Sequence, residues 1–128
     1  MNELQFADDV LARIREHDSR YHERAYLFVL AAIEYLQTRQ TARRHVSGQE
    51  LAWACRDFAL QCFGLLARDV LAFWGVTSTE DIGRIVFTLV KVGLLSTQPN
   101  DREADFAGVY DFPDAFSQPY GWEGIARA

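Results

Sequence analysis

Residues 74–82 read Trp74-Gly75-Val76-Thr77-Ser78-Thr79-Glu80-Asp81-Ile82, and this stretch decides the fold. Gly75 ends one helix, because a glycine just past the last helical residue adopts the left-handed conformation without steric cost. Thr77 to Glu80 has the Thr-x-x-Glu spacing of a capping box, which begins another helix. Downstream, Ile82, Ile85, Val86, Leu89 and Val92 recur with the helical period and are expected to face inward. Asp81, Arg84, Thr88 and Lys91 then fall on the opposite face. Gly93 closes this fifth helix. Upstream of Gly75, a short fourth helix is predicted over about Leu65 to Trp74.

The third helix has its own start signal. Ser47-Gly48-Gln49-Glu50 is a second capping box, followed by the stripe Leu51, Cys55, Phe58, Ala59 and Cys62. Gly64 is its expected C-terminal cap. The second helix covers about Arg20 to Gln40, and its centre, Ala25 to Ile33, is apolar nearly all round, as suits a buried helix. The first covers about Glu3 to His17, with Leu4, Ala7, Leu11 and Ile14 on one side. Gly48, Gly64, Gly75 and Gly93 all fall at helix boundaries, so no glycine-rich phosphate loop is present. Beyond the fifth helix, Leu94–Thr97 and Phe106–Tyr110 are predicted as strands of a hairpin around Gln98-Pro99-Asn100-Asp101. The expected architecture is mainly α: a helical bundle with one short β-hairpin in its C-terminal half. One domain is expected, with a helical hairpin at 1–45, a second part at 46–112 and a tail at 113–128.

Short helix, tight turn, helix and hairpin resembles the winged helix-turn-helix of bacterial transcription regulators, over Leu66 to Phe112. The resemblance places Pro99-Asn100-Asp101-Arg102 at the wing tip and the fifth helix in the recognition position. The chain is also similar to a small family of uncharacterised bacterial proteins, on Arg44 to Leu51, Trp74-Gly75, Thr79-Glu80-Asp81, Gly93-Leu94-Leu95 and Tyr110-Asp111-Phe112. That similarity implies no catalytic or binding residue.

Charge argues against a nucleic-acid role. The net charge is −5, and residues 94–128 carry Arg102 and Arg127 against six acids. Affinity for nucleic acid rests largely on neutralising phosphates. An acidic wing, with Glu80 and Asp81 opening the fifth helix, opposes that. The longest apolar stretch, Ala25 to Ile33, is far short of the roughly 20 residues a membrane span needs. The N-terminus does not read as a signal peptide, so a cytoplasmic location is expected. Cys55 and Cys62 are too far apart along a helix for a disulfide and are expected as small buried hydrophobes. His17, His22 and His45 lack a metal-ligand spacing, and no metal or other cofactor is expected.

The preferred function is therefore a non-catalytic binding or adaptor module directed at a protein partner. Its candidate contact residues are the basic cluster Arg39, Arg43, Arg44 and His45, and the apolar pair Trp53 and Leu60. The pair lies opposite the core stripe of the third helix and is either covered by another element or free to anchor a partner. The alternative is a nucleic-acid-binding regulator using Arg39, Arg43, Arg44, Arg84 and Lys91, and the third an enzyme without a recognisable motif. The aromatic-rich stretch Phe106 to Phe116 is expected to pack back on the helices, with the chain looser beyond Pro119.

Overall fold

Ser47 starts the helix against which the second and fourth helices pack. Its hydroxyl accepts from the Glu50 amide at 3.1 Å, and the Glu50 carboxylate accepts from the Ser47 amide at 3.1 Å. Both halves of the capping box are made, so two amides at this helix end are satisfied by side chains. The structure, a computed structural model, describes residues 3–39 and 46–117, with side chains from Asp9 onward. Its helices are α1 (Glu3–His17), α2 (Glu23–Thr38), α3 (Gly48–Phe63), α4 (Ala67–Phe73), α5 (Thr79–Lys91) and α6 (Phe112–Ser117), with 3-10 turns at Gly64–Leu66 and Glu103–Phe106. The fold is mainly α, and among the described residues no helix is long and apolar enough to cross a membrane.

α2 packs against α3 and α5, and α3 also meets α4, α6 and the second 3-10 turn. The deepest side chains come from several helices: Ile14 of α1, Tyr26 of α2, Cys55 of α3, and Thr79, Ile85 and Leu89 of α5. The inward stripe of α5 is the one its period predicts, since Ile82, Ile85, Val86, Leu89 and Val92 are all buried. α1 is held to the end of α5 by Arg13, whose guanidinium donates to the Val92 carbonyl. Gly75 adopts φ +95°, and the chain turns there between α4 and α5.

The expected β-hairpin is absent: no strand forms among the described residues. The reason is local competition for amides. Leu94 and Leu95 both donate to the Leu89 carbonyl, at 2.9 and 3.3 Å, finishing α5 instead of opening a strand. The Asp101 carboxylate accepts from the Gln98 amide at 2.8 Å, and that of Asp105 from the Arg102 amide at 3.0 Å. These short acidic side chains fold the segment into turns and the 3-10 turn Glu103–Phe106. Val109, expected in the returning strand, donates to the Thr79 hydroxyl at 3.2 Å.

Residues 106–116 do lie against the helices. Phe106, Phe112 and Ala115 are buried. The Tyr110 hydroxyl donates to the Ala52 carbonyl at 2.8 Å, and its ring meets Trp53, Phe112 and Phe116. The expected tail, 113–128, is helical as far as Ser117, within α6. Pro119 and the chain after it lie outside the described residues.

Cys55 and Cys62 are both free thiols, as their spacing requires, but they differ. Cys55 is buried and its thiol is pushed up to about 12 by burial. Cys62 is exposed, near the end of α3, and is not the core residue its place in the stripe implied. Iodoacetamide on the native protein should therefore alkylate Cys62 and spare Cys55. Mass spectrometry of the peptides reads the outcome, and equal labelling would contradict the packing of α3.

Candidate functional site

Leu60 cannot anchor a partner, because it is only 6% exposed. Neighbouring elements cover α3 at Leu60 but leave Trp53 part open. Trp53 is 41% exposed, with the Tyr110 ring centroid 4.6 Å away and the Arg56 guanidinium 5.1 Å from its own. It is the half-open edge of an aromatic cluster. Arg39 ends α2 and lies over the Tyr35 ring at 4.3 Å. Arg43, Arg44 and His45 lie outside the described residues.

The polar face expected on α5 is turned partly inward. Asp81 is buried, and its Oδ1 accepts from the Tyr21 hydroxyl at 2.6 Å and from Arg84 Nη1 at 2.9 Å. Its Oδ2 accepts from the Thr77 amide at 2.9 Å and from the Thr77 and Ser78 hydroxyls at 3.3 and 3.2 Å. Burial alone would raise this carboxyl, and the hydrogen bonds from Tyr21, Thr77 and Ser78 overcome it and hold it below the ordinary range. The capping residue is Ser78, one position later than the Thr-x-x-Glu pattern implied, because Asp81 can reach back where Glu80 does not. A carboxylate has about four acceptor positions, and here they are all taken. The cluster ties the α1–α2 connection to α5. It also engages Arg84, one of the two α5 cations named for a nucleic-acid contact; Arg84 and Lys91 are both exposed. Thr88, expected outside, is buried as well, its hydroxyl donating to the Arg84 carbonyl at 2.9 Å. Among the described residues, no group of three or more His, Cys, Asp or Glu is placed to hold a metal ion.

The open apolar surface lies elsewhere. Leu65 is 85% exposed, Leu66 62% and Phe73 80%. At about 100° per residue, Ala67, Leu71 and Trp74 share the side of α4 that faces the body. These three are buried. Leu66, Val70 and Phe73 stand together about a quarter-turn away, at i, i+4 and i+7. The apolar arc of α4 is thus wider than the body covers. Its Phe73 end is flanked by His22, with ring centroids 6.0 Å apart. His22 caps α2, its Nδ1 accepting from the Arg24 amide at 3.1 Å, and its own amide donates to the Trp74 carbonyl at 3.0 Å. The face is therefore held on a fixed frame.

Because these side chains touch little of the body, Leu66→Ser and Phe73→Ser should each change stability by no more than about 0.5 kcal/mol. Chemical denaturation checks this. A loss of several kcal/mol would mean that the face is covered. No family model, curated protein or solved structure matches the chain.

Proposed function

We propose that this chain is a non-catalytic binding module that docks a protein through the α4 face. The observation that carries the reading is the exposure of Leu65, Leu66 and Phe73 on one turn and one helix. Exposed apolar side chains grouped on one element are the kind of surface that marks an interaction site. Leu66, Val70 and Phe73, at i, i+4 and i+7, follow the pattern by which a helix offers its apolar side to a partner's groove. In this reading the chain presents α4 to its partner rather than α5, the helix that the resemblance put in the recognition position. The filled acceptor set of Asp81 supports a structural rather than catalytic role for the one buried carboxylate among the described residues.

Affinity capture from the native host tests the reading. The full chain should retain a protein that the Leu66→Asp/Phe73→Asp double variant loses, while a Trp53→Ser variant keeps it. Equal retention by all three would place the contact away from α4. Recovery that nuclease abolishes would favour the nucleic-acid alternative.

A further inference from the structure

A cleft of about 470 Å3 opens where α2, α3 and α5 meet the 94–106 segment. Ile33 of α2, Leu51 of α3, Val86 and Val90 of α5, and Leu94 and Phe106 of the segment form its apolar wall. Gly48 lets this wall close. It opens α3 without a side chain, and a Cβ there would stand 3.0 Å from the Phe106 Cε2 and 3.1 Å from the Asp105 Cβ. Residues 105 and 106 can therefore lie against the start of α3, with the Phe106 ring in the wall and Asp105 beside it. Three charged residues line the cleft, Asp101, Arg102 and Asp105, and they are not equivalent. Asp101 and Asp105 are half-buried and fixed by turns, their carboxylates accepting from the Gln98 and Arg102 amides at 2.8 and 3.0 Å. Arg102 is exposed, on a long side chain whose head can stay in water. The fixed charge at the cleft is thus negative, and the movable charge positive.

We propose that this cleft binds a small cationic amphiphile, an amine with an apolar body. The body lies against α2, α3 and α5, and the ammonium meets Asp101 and Asp105. The volume falls within the range of small-molecule sites, roughly 300–1,000 Å3, and so does the make-up of the lining, an apolar wall with a few polar groups to fix orientation. The charge of the head follows from the two anchored carboxylates. A carboxylate has about four acceptor positions, and the turn amide occupies one on Asp105. An ammonium adds charge-assisted hydrogen bonds there, whereas a carboxylate head would face two fixed like charges. The wider field has the same sign. The net charge is −5, and residues 94–128 carry two arginines against six acids, so cations are drawn to this segment and anions repelled. No residue of α4 lines the cleft, so the site is separate from the α4 face, and its failure would leave the docking reading untouched.

Phenylbutylamine, phenylbutanol and phenylbutyrate share one apolar body and differ in the head, so together they test the proposal. Each is titrated into the isotope-labelled full chain, and amide chemical shifts report where and how tightly it binds. The amine should shift amides over 46–51 and 86–106 with a Kd of about 0.1–1 mM, the strength expected of so small a ligand. It should bind about tenfold more tightly than the alcohol, and the carboxylate more weakly than either. Added salt should weaken the amine and spare the alcohol. In the Asp101→Asn/Asp105→Asn variant the amide oxygens can still cap the same turns. Binding of the amine should then fall to that of the alcohol, while the alcohol binds as before and shows that the cleft is intact. Asp105→Asn alone, with the same control, serves if the double variant does not fold. Equal binding of amine and alcohol overturns the proposal, as does tighter binding of the carboxylate, which would give the head to Arg102. Shifts confined to 65–73, or none with any of the three at about 10 mM, overturn it as well.

Discussion

Asp81→Ala is expected to cost about 2–4 kcal/mol, among the largest effects of any single change outside the apolar core. The substitution strips the acceptor from the Tyr21 hydroxyl, the Thr77 amide and the Arg84 guanidinium at once. Tyr21 is buried and cannot recover its bond from water. The Arg84 side chain is 43% exposed and can turn outward, which keeps the loss below that of a fully buried pair. Tyr21→Phe should cost less, about 1 kcal/mol, since Arg84 still pairs with the same oxygen. The pH dependence has a definite sign. The folded-state pKa of Asp81 is lowered, so its contribution is fully present above the unfolded value of about 3.9 and is lost as pH falls below it. Urea midpoints between pH 2.5 and 6 should show wild-type stability falling below about pH 4 more steeply than that of Asp81→Asn. Parallel curves would mean that Asp81 does not titrate as a hydrogen-bonded carboxylate.

Phe106→Ala should destabilise by about 3–5 kcal/mol, the usual cost of emptying a buried aromatic site. Its ring lies between two glycines on different helices. A Cβ at Gly83 would stand 2.8 Å from the Phe106 Cβ and 2.9 Å from its Cγ, and one at Gly48 would stand 3.0 Å from Cε2. Gly83→Ala must therefore push the ring and its 3-10 turn off α5. It should destabilise although alanine favours helix, reversing the usual gain of about 1 kcal/mol. Because the ring also forms part of the cleft wall, Phe106→Ala should loosen that end without changing the exposure of α4. Hydrogen exchange distinguishes the two: faster exchange over 48–51 and 83–90, with 67–73 unchanged.

The helices were legible because their signals are local. Ser47 and Glu50 are three residues apart, and the inward stripe of α5 lies within one helix. The hairpin was misread because apolar runs at 94–97 and 106–110 suit strands, while Asp101 and Asp105 claim the nearby amides. No periodicity reveals that competition. Asp81 was placed outside by its helical angle, yet its partner Tyr21 is 60 residues away. Leu60 lies opposite the core stripe of α3, yet neighbouring elements bury it while leaving Trp53 part open. The α4 face had a readable signal in the spacing of Leu66, Val70 and Phe73. Its exposure depends on how the body covers only Ala67, Leu71 and Trp74, which a single helix pattern does not contain.

The claim that α4 is a docking surface is tested most directly by photo-crosslinking in living cells, with p-benzoylphenylalanine in place of Phe73. The account predicts a discrete protein adduct from position 73, either a second copy of this chain or another protein, that is suppressed when Leu65 and Leu66 are changed to aspartate. No adduct at position 73, with one formed instead from position 53, would contradict it.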